Sequence, residues 1–141
     1  MNRGSFSLTA SAVALCLSLF AGCSENNNPV GGGGGLPGTW NLTRATWGSV
    51  VVTAGGSTMT NTLTINSNGT YQSTAVDYGV SPAETTTEAG TWTSTSTTFT
   101  PTSNGTTITM GYSISGSTLT LSWTDNTSGT PLTISYVYAR Q

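Results

Sequence analysis

In Thr118-Leu119-Thr120-Leu121-Ser122-Trp123-Thr124 every second residue is apolar and every other one carries a hydroxyl. A period of two belongs to a strand with one dry face and one wet face, and no helix satisfies it. The same beat returns in Ile108, Met110, Tyr112 and Ile114 and in Leu132, Ile134, Tyr136 and Tyr138, with weaker members at Trp40 and Leu42, Leu63 and Ile65, and Trp92 and Phe99. Turn-forming clusters separate the runs: Asn66-Ser67-Asn68-Gly69, Ser103-Asn104-Gly105, Ser115-Gly116-Ser117 and Asp125-Asn126-Thr127-Ser128-Gly129. The pattern predicts strands over 39–46, 57–66, 69–78, 87–94, 96–101, 106–114, 117–124 and 131–140, and no helix. Eight short consecutive strands joined by hairpins suit an all-β, antiparallel up-and-down barrel, whose closure removes exposed edges. A small β-sandwich is the alternative, and composition and periodicity do not separate the two.

Charge excludes several functions. Only 6% of residues are charged, histidine and lysine are absent, and the three arginines (Arg3, Arg44, Arg140) face five carboxylates for a net charge of -2. With three arginines outnumbered by carboxylates, no basic excess is left to neutralise a phosphate backbone, and nucleic acid is not expected as a partner. Without histidine there is no imidazole base, no Ser-His-Asp device and no His-ligated metal. Glu84 and Glu88, in or beside a predicted loop, together with Asp77 and Asp125, offer carboxylates for glycoside hydrolysis, but nothing in their spacing asks for it. The expectation is a non-enzymatic domain with no cofactor and no metal.

The first 22 residues read as a secretory signal: Arg3, then a stretch from Phe6 to Phe20 with no charge. Phe20-Ala21-Gly22-Cys23 resembles the lipobox of bacterial lipoproteins. That resemblance implies cleavage before Cys23, acylation of its thiol and usually of its amine, and a membrane anchor. The alternative is an ordinary secreted protein in which Cys23 is incidental. Cys16 and Cys23 are the only cysteines, so a domain after Cys23 holds no disulfide. Ser24 is not the aspartate that the family associates with inner-membrane retention, which implies the outer membrane of a diderm cell. Residues 23–37, with five consecutive glycines, read as a flexible tether; about 15 residues of such coil span roughly 20 Å.

Residues 38–141 form the predicted domain. Gly38-Thr39-Trp40, the segment Leu63-Thr64-Ile65-Asn66-Ser67-Asn68-Gly69-Thr70-Tyr71, a second Gly90-Thr91-Trp92, and Tyr138-Ala139-Arg140 together resemble the bacterial lipocalin-like domains of the calycin group. In that group the tryptophan after the first glycine plugs the closed end of the barrel, and an arginine of the last strand packs across its indole. The matching positions here are Trp40 and Arg140, with Gly38 opening the strand. The resemblance implies a monomer whose barrel holds a small apolar or amphipathic molecule. The alternative is a structural or interaction module that contacts protein or polysaccharide through its loops.

If Trp40 marks the closed end, the turns at 66–69, 94–96 and 115–117 lie there, and the longer loops at 47–57, 79–87 and 125–130 ring the mouth. Counting by twos from Trp40 points Leu42 and Arg44 inward, and counting from Tyr71 points Ser73, Ala75 and Asp77 inward. Arg44 and Asp77 are therefore candidate anchors for a ligand's polar group; the competing readings are an internal ion pair or a register shift that leaves both in water. Trp47, expected in the first mouth loop, and Tyr78, beside the next, are candidate rim aromatics. The alternative folds Trp47 back over the rim. So many large inward residues favour a filled interior over an open one.

Overall fold

A computed structural model describes residues 35–55, 58–127 and 129–141. The expected signal segment, Cys23 and the expected tether as far as residue 34 lie outside the described residues. Ten strands follow one another: β1 (Gly38–Trp47), β2 (Val50–Thr53), β3 (Met59–Ile65), β4 (Thr70–Asp77), β5 (Glu84–Ser94), β6 (Thr98–Ser103), β7 (Thr106–Thr107), β8 (Met110–Ser115), β9 (Thr118–Asp125) and β10 (Leu132–Arg140). Their hydrogen-bonding order is β10, β9, β8, β6, β5, β4, β3, β1, β2, and β10 returns to pair with β1. That pairing closes the sheet. With β2 attached outside the circuit on β1, and β7 bonded only to β6, eight strands form an antiparallel up-and-down barrel rather than a sandwich.

Opposed residues of an antiparallel pair share a face, so the register defines the interior. Trp40 opposes both Arg140 and Leu63, Leu42 opposes Tyr138, Ile65 opposes Tyr71, and Trp123 opposes Ile134. Leu36, Trp40, Ile65, Phe99 and Leu119 are sealed from solvent inside this ring. Each such side chain contributes about 1.5 to 3 kcal/mol through burial. Strand direction sends the turns at 66–69, 95–97 and 116–117 to the Trp40 end and those at 78–83 and 126–131 to the other.

Three departures from simple alternation matter. Between Leu42 and Arg44 the β1–β10 register slips: Leu42 opposes Tyr138, Arg44 opposes Val137, and Thr43 is left over. Thr43 Oγ1 donates to the Val137 carbonyl at 2.9 Å, which holds the bulge. The extra residue resets parity. Arg44 consequently points outward and is exposed, contrary to the inward count, while Ala45 is fully buried.

The second departure is β2. Its three consecutive valines pair antiparallel with Ala45 to Trp47, and Thr53 with Arg44, which prolongs β1 through Trp47 into what alternation alone reads as a loop. The third lies in the return strand expected over 106–114, which is split into β7 and β8. Both keep one register with β6, since Thr102 opposes Thr107 and Phe99 opposes Met110. Pro101 sits between those pairs and has no N–H to donate, so the gap is crossed by the Ile108 N–H to Pro101 carbonyl bond, at 3.2 Å, and by a bond from Thr100 Oγ1 to Thr109 Oγ1, at 3.4 Å.

At the closed end Leu36, assigned by composition to the tether, is fully buried. The Trp40 indole N–H donates to its carbonyl at 2.9 Å. Arg140 lies over Trp40 with its Cζ 4.2 Å from the ring centroid. Its guanidinium donates to the carbonyls of Pro37, at 3.3 Å, and Gly35. Residues 35–37, read from sequence as the end of a tether, are thus part of the barrel floor.

Candidate functional site

Above the floor, the inner face changes from purely apolar to mixed. Phe99 meets Trp92 at 5.9 Å between centroids and Tyr71 edge-on at 6.4 Å, forming the lower aromatic layer. Nearer the mouth, Tyr136 receives Trp123 edge-on at 5.1 Å, Trp47 at 5.9 Å and Tyr138 at 6.4 Å. Between these layers a polar arc crosses β10, β3, β4 and β5. Buried Tyr138 donates its Oη to Asn61 Oδ1 at 3.1 Å, and Asn61 Nδ2 donates to Ser73 Oγ at 2.9 Å. Ser73 opposes Glu88 across the β4–β5 ladder, and Tyr71 Oη donates to Glu88 Oε1 at 2.6 Å. The last is a short, charge-assisted bond.

The arc borders a cavity of about 130 Å³. Asn61, Ser73 and Glu88 face it from one side, and Met110, Trp123 and Tyr136 are part of its apolar lining. Drug-sized ligands occupy roughly 300 to 1,000 Å³, whereas an apolar void of about 150 Å³ takes one benzene. The interior is therefore mostly filled, with room for a single ring or a short chain.

Burial raises the phenol pKa of Tyr138 far above its ordinary value, and the neighbouring Tyr136 adds to the shift. Burial also raises that of Tyr136, opposed by a hydrogen bond from the Trp47 side chain. A folded-state pKa above the unfolded value means that the native state keeps protons which the unfolded chain releases above about pH 10, so stability falls as pH rises past that point. We expect urea midpoints to decline from about pH 10 upward. In Tyr138→Phe the decline should be shallower by as much as about 1.4 kcal/mol per pH unit, although the variant starts lower because Asn61 Oδ1 loses its donor. Equal slopes for both proteins would contradict the buried phenol.

None of the four residues chosen from sequence as ligand contacts lines this cavity. Arg44 is on the outer face. Trp47 belongs to β1 rather than to a loop; past the bulge it turns inward and packs on Tyr136. Asp77 does face inward, at the mouth end of β4, but its carboxylate accepts the Gly79 N–H at 2.7 Å in a tight turn. Tyr78 is exposed on the rim, with its backbone N–H bonded to the Thr58 carbonyl at 3.0 Å. Gly38, Trp40 and Arg140 do come together, at the closed end and away from the cavity. Cys23 lies outside the described residues.

Glu84 is a strand residue of β5, not a loop residue, and Glu88 lies in the same strand, within the predicted limits 87–94. Asn61, which the sequence reading does not name, and Glu88, which it weighs only as a glycosidase carboxylate, carry the same parity signal that exposed the core. Counting back from Leu63 reaches Asn61, and counting back from Trp92 through Gly90 reaches Glu88. Among the described residues no three His, Cys, Asp or Glu side chains are grouped to hold a metal ion. No known family model, curated protein or solved structure matches this chain.

Proposed function

We propose that this chain is a lipid-anchored, non-enzymatic lipoprotein of the cell envelope whose lipocalin-like barrel holds one small amphipathic molecule. The observation that carries the reading is the two-sided cavity, with the Asn61–Ser73–Glu88 arc opposite the Met110, Trp123 and Tyr136 wall. A ring or short chain would lie on the aromatic wall while its polar group meets the arc. Concave, largely apolar sites with a few convergent polar groups are the ordinary form of small-molecule recognition. The anchor rests on the Phe20 to Cys23 motif, and outer-membrane placement on Ser24.

Two experiments test the two halves. Tryptophan fluorescence of the full chain in mild detergent should change on titration with a single-ring amphiphile, and Trp123→Phe should remove most of that change. A response that survives unchanged in the variant would place binding elsewhere. For the anchor, metabolic labelling with a fatty-acid analogue should mark the wild type and leave Cys23→Ser unmarked; a labelled variant would rule out lipidation at that thiol.

A second reading, an interaction module working through its rim, is favoured by one observation. Val50, Val51, Tyr78 and Val80 are exposed apolar residues on β2 or in the 78–83 loop, away from the Trp40 end. Binding of a protein or polysaccharide that leaves Trp123 fluorescence untouched would support it.

A further inference from the structure

We propose that the cavity selects a small organic cation, a primary or secondary amine on one ring or a short chain, with its ammonium on the Glu88 carboxylate. This rests on the reading of the cavity as a ligand site and adds the charge of the ligand. Among the described residues Glu88 is the only charged side chain that lines the cavity. Its bonded partner among the described residues, the Tyr71 hydroxyl, is a neutral donor.

No cation of the described chain faces Glu88. The sequence has no lysine or histidine. Arg44 lies on the outer face, Arg140 is committed to Trp40 and to the Gly35 and Pro37 carbonyls, and Arg3 is outside the described residues. A partly buried carboxylate without a counter-charge is costly, and an incoming ammonium removes that cost while making a charge-assisted hydrogen bond.

Two further features point to the same ligand class. Trp123 and Tyr136 line the cavity, and the faces of such rings attract an alkylammonium. Along the inner side of the β4–β5 ladder Asp77 directly opposes Glu84 at the mouth, two turns of the pleat above Ser73 and Glu88. Like charges opposed across a ladder repel, and here they set a negative potential at the entrance. That potential draws cations and turns away carboxylates. Fatty acids and other anionic amphiphiles are disfavoured by the same carboxylates.

The test uses three probes of one ring size, benzylamine, benzyl alcohol and benzoate, titrated calorimetrically at pH 7 into the full chain in neutral detergent. Benzylamine should bind about tenfold tighter than benzyl alcohol, benzoate should show no binding, and Glu88→Gln should bring benzylamine to within about twofold of the alcohol. Should Glu88→Gln fail to fold, the wild-type ranking of the three probes still decides. Benzyl alcohol or benzoate equal to or tighter than benzylamine would overturn the cation proposal while leaving the cavity as a ligand site. Absence of binding by all three would overturn both readings together, and a preference for benzylamine that persists in folded Glu88→Gln would overturn the role given to Glu88.

Discussion

Gly90→Ala is expected to cost about 3 kcal/mol or more, an unusually large penalty for adding one methyl group. A Cβ on Gly90 would stand 2.1 Å from the Thr102 carbonyl oxygen and 3.1 Å from Tyr71 Cε1. The first obstacle is backbone, so no rotamer change relieves it. The β5 and β6 strands would have to part where Thr91 opposes Thr102, and the bond from Ser103 Oγ to the Ala89 carbonyl, 2.9 Å long, would be disturbed with them. Tyr71 would be pushed as well, and with it the hydroxyl that holds Glu88. Gly111→Ala is the control, because its Cβ would approach nothing closer than Ser122 Oγ at 3.4 Å. Urea unfolding of the two variants checks the contrast; a Gly90→Ala midpoint close to wild type would mean that β6 does not press on β5 as described. The same contact explains why a glycine precedes Thr91-Trp92: it admits the neighbouring strand, while the Trp92 indole N–H, 3.0 Å from the Asn66 carbonyl, fastens the adjacent turn.

Truncating Trp40 should be comparably damaging. Trp40→Ala removes a fully buried indole, its hydrogen bond to Leu36 and the surface on which Arg140 rests, for an expected loss of about 3 to 5 kcal/mol. Trp47 keeps some exposure and packs mainly on Tyr136, so Trp47→Ala should lose about half as much. Arg140→Ala should cost about 1 to 2 kcal/mol, the sum of a stacked guanidinium and its bonds to the Gly35 and Pro37 carbonyls. Arg140→Lys should recover only part, since an ammonium lacks the planar face. A double-mutant cycle of Arg140→Ala with Trp40→Phe in urea should give a coupling of at least about 0.5 kcal/mol; additive losses would mean that the two side chains do not touch.

Much of this was legible because the barrel wall is amphipathic at a strict period of two. Leu119, Leu121 and Trp123 alternate with hydroxyl residues, and the strand that holds them is found within a residue or two of its predicted limits. Parity was lost where the chain adds a residue. The Thr43 bulge is sealed by a bond to Val137, 94 residues away, and no local pattern announces such a partner. Arg44 was consequently assigned to the wrong face. The run Val50-Val51-Val52 has no alternation, so β2 was hidden in a loop, and Trp47 with it. Glu88 was hidden differently: counting by twos from Trp92 reaches it, but its flanks Thr85, Thr86, Thr87 and Ala89 blur the beat, and the pairing of β5 with β4 sets it opposite Ser73. The polar arc needs four strands to meet across the barrel, which a one-dimensional reading does not supply.

Native mass spectrometry of the full chain, taken in mild detergent directly from the cells that make it, tests the central claim that the cavity holds a molecule. An occupied cavity gives a population heavier than the bare protein by roughly 100 to 200 Da, the mass of one ring with a polar group, released on denaturation. The heavier population should shrink in Trp123→Phe or Glu88→Gln protein that still gives the circular-dichroism spectrum of the folded barrel. Bare protein mass alone, in repeated preparations that retain the folded spectrum, would contradict that claim.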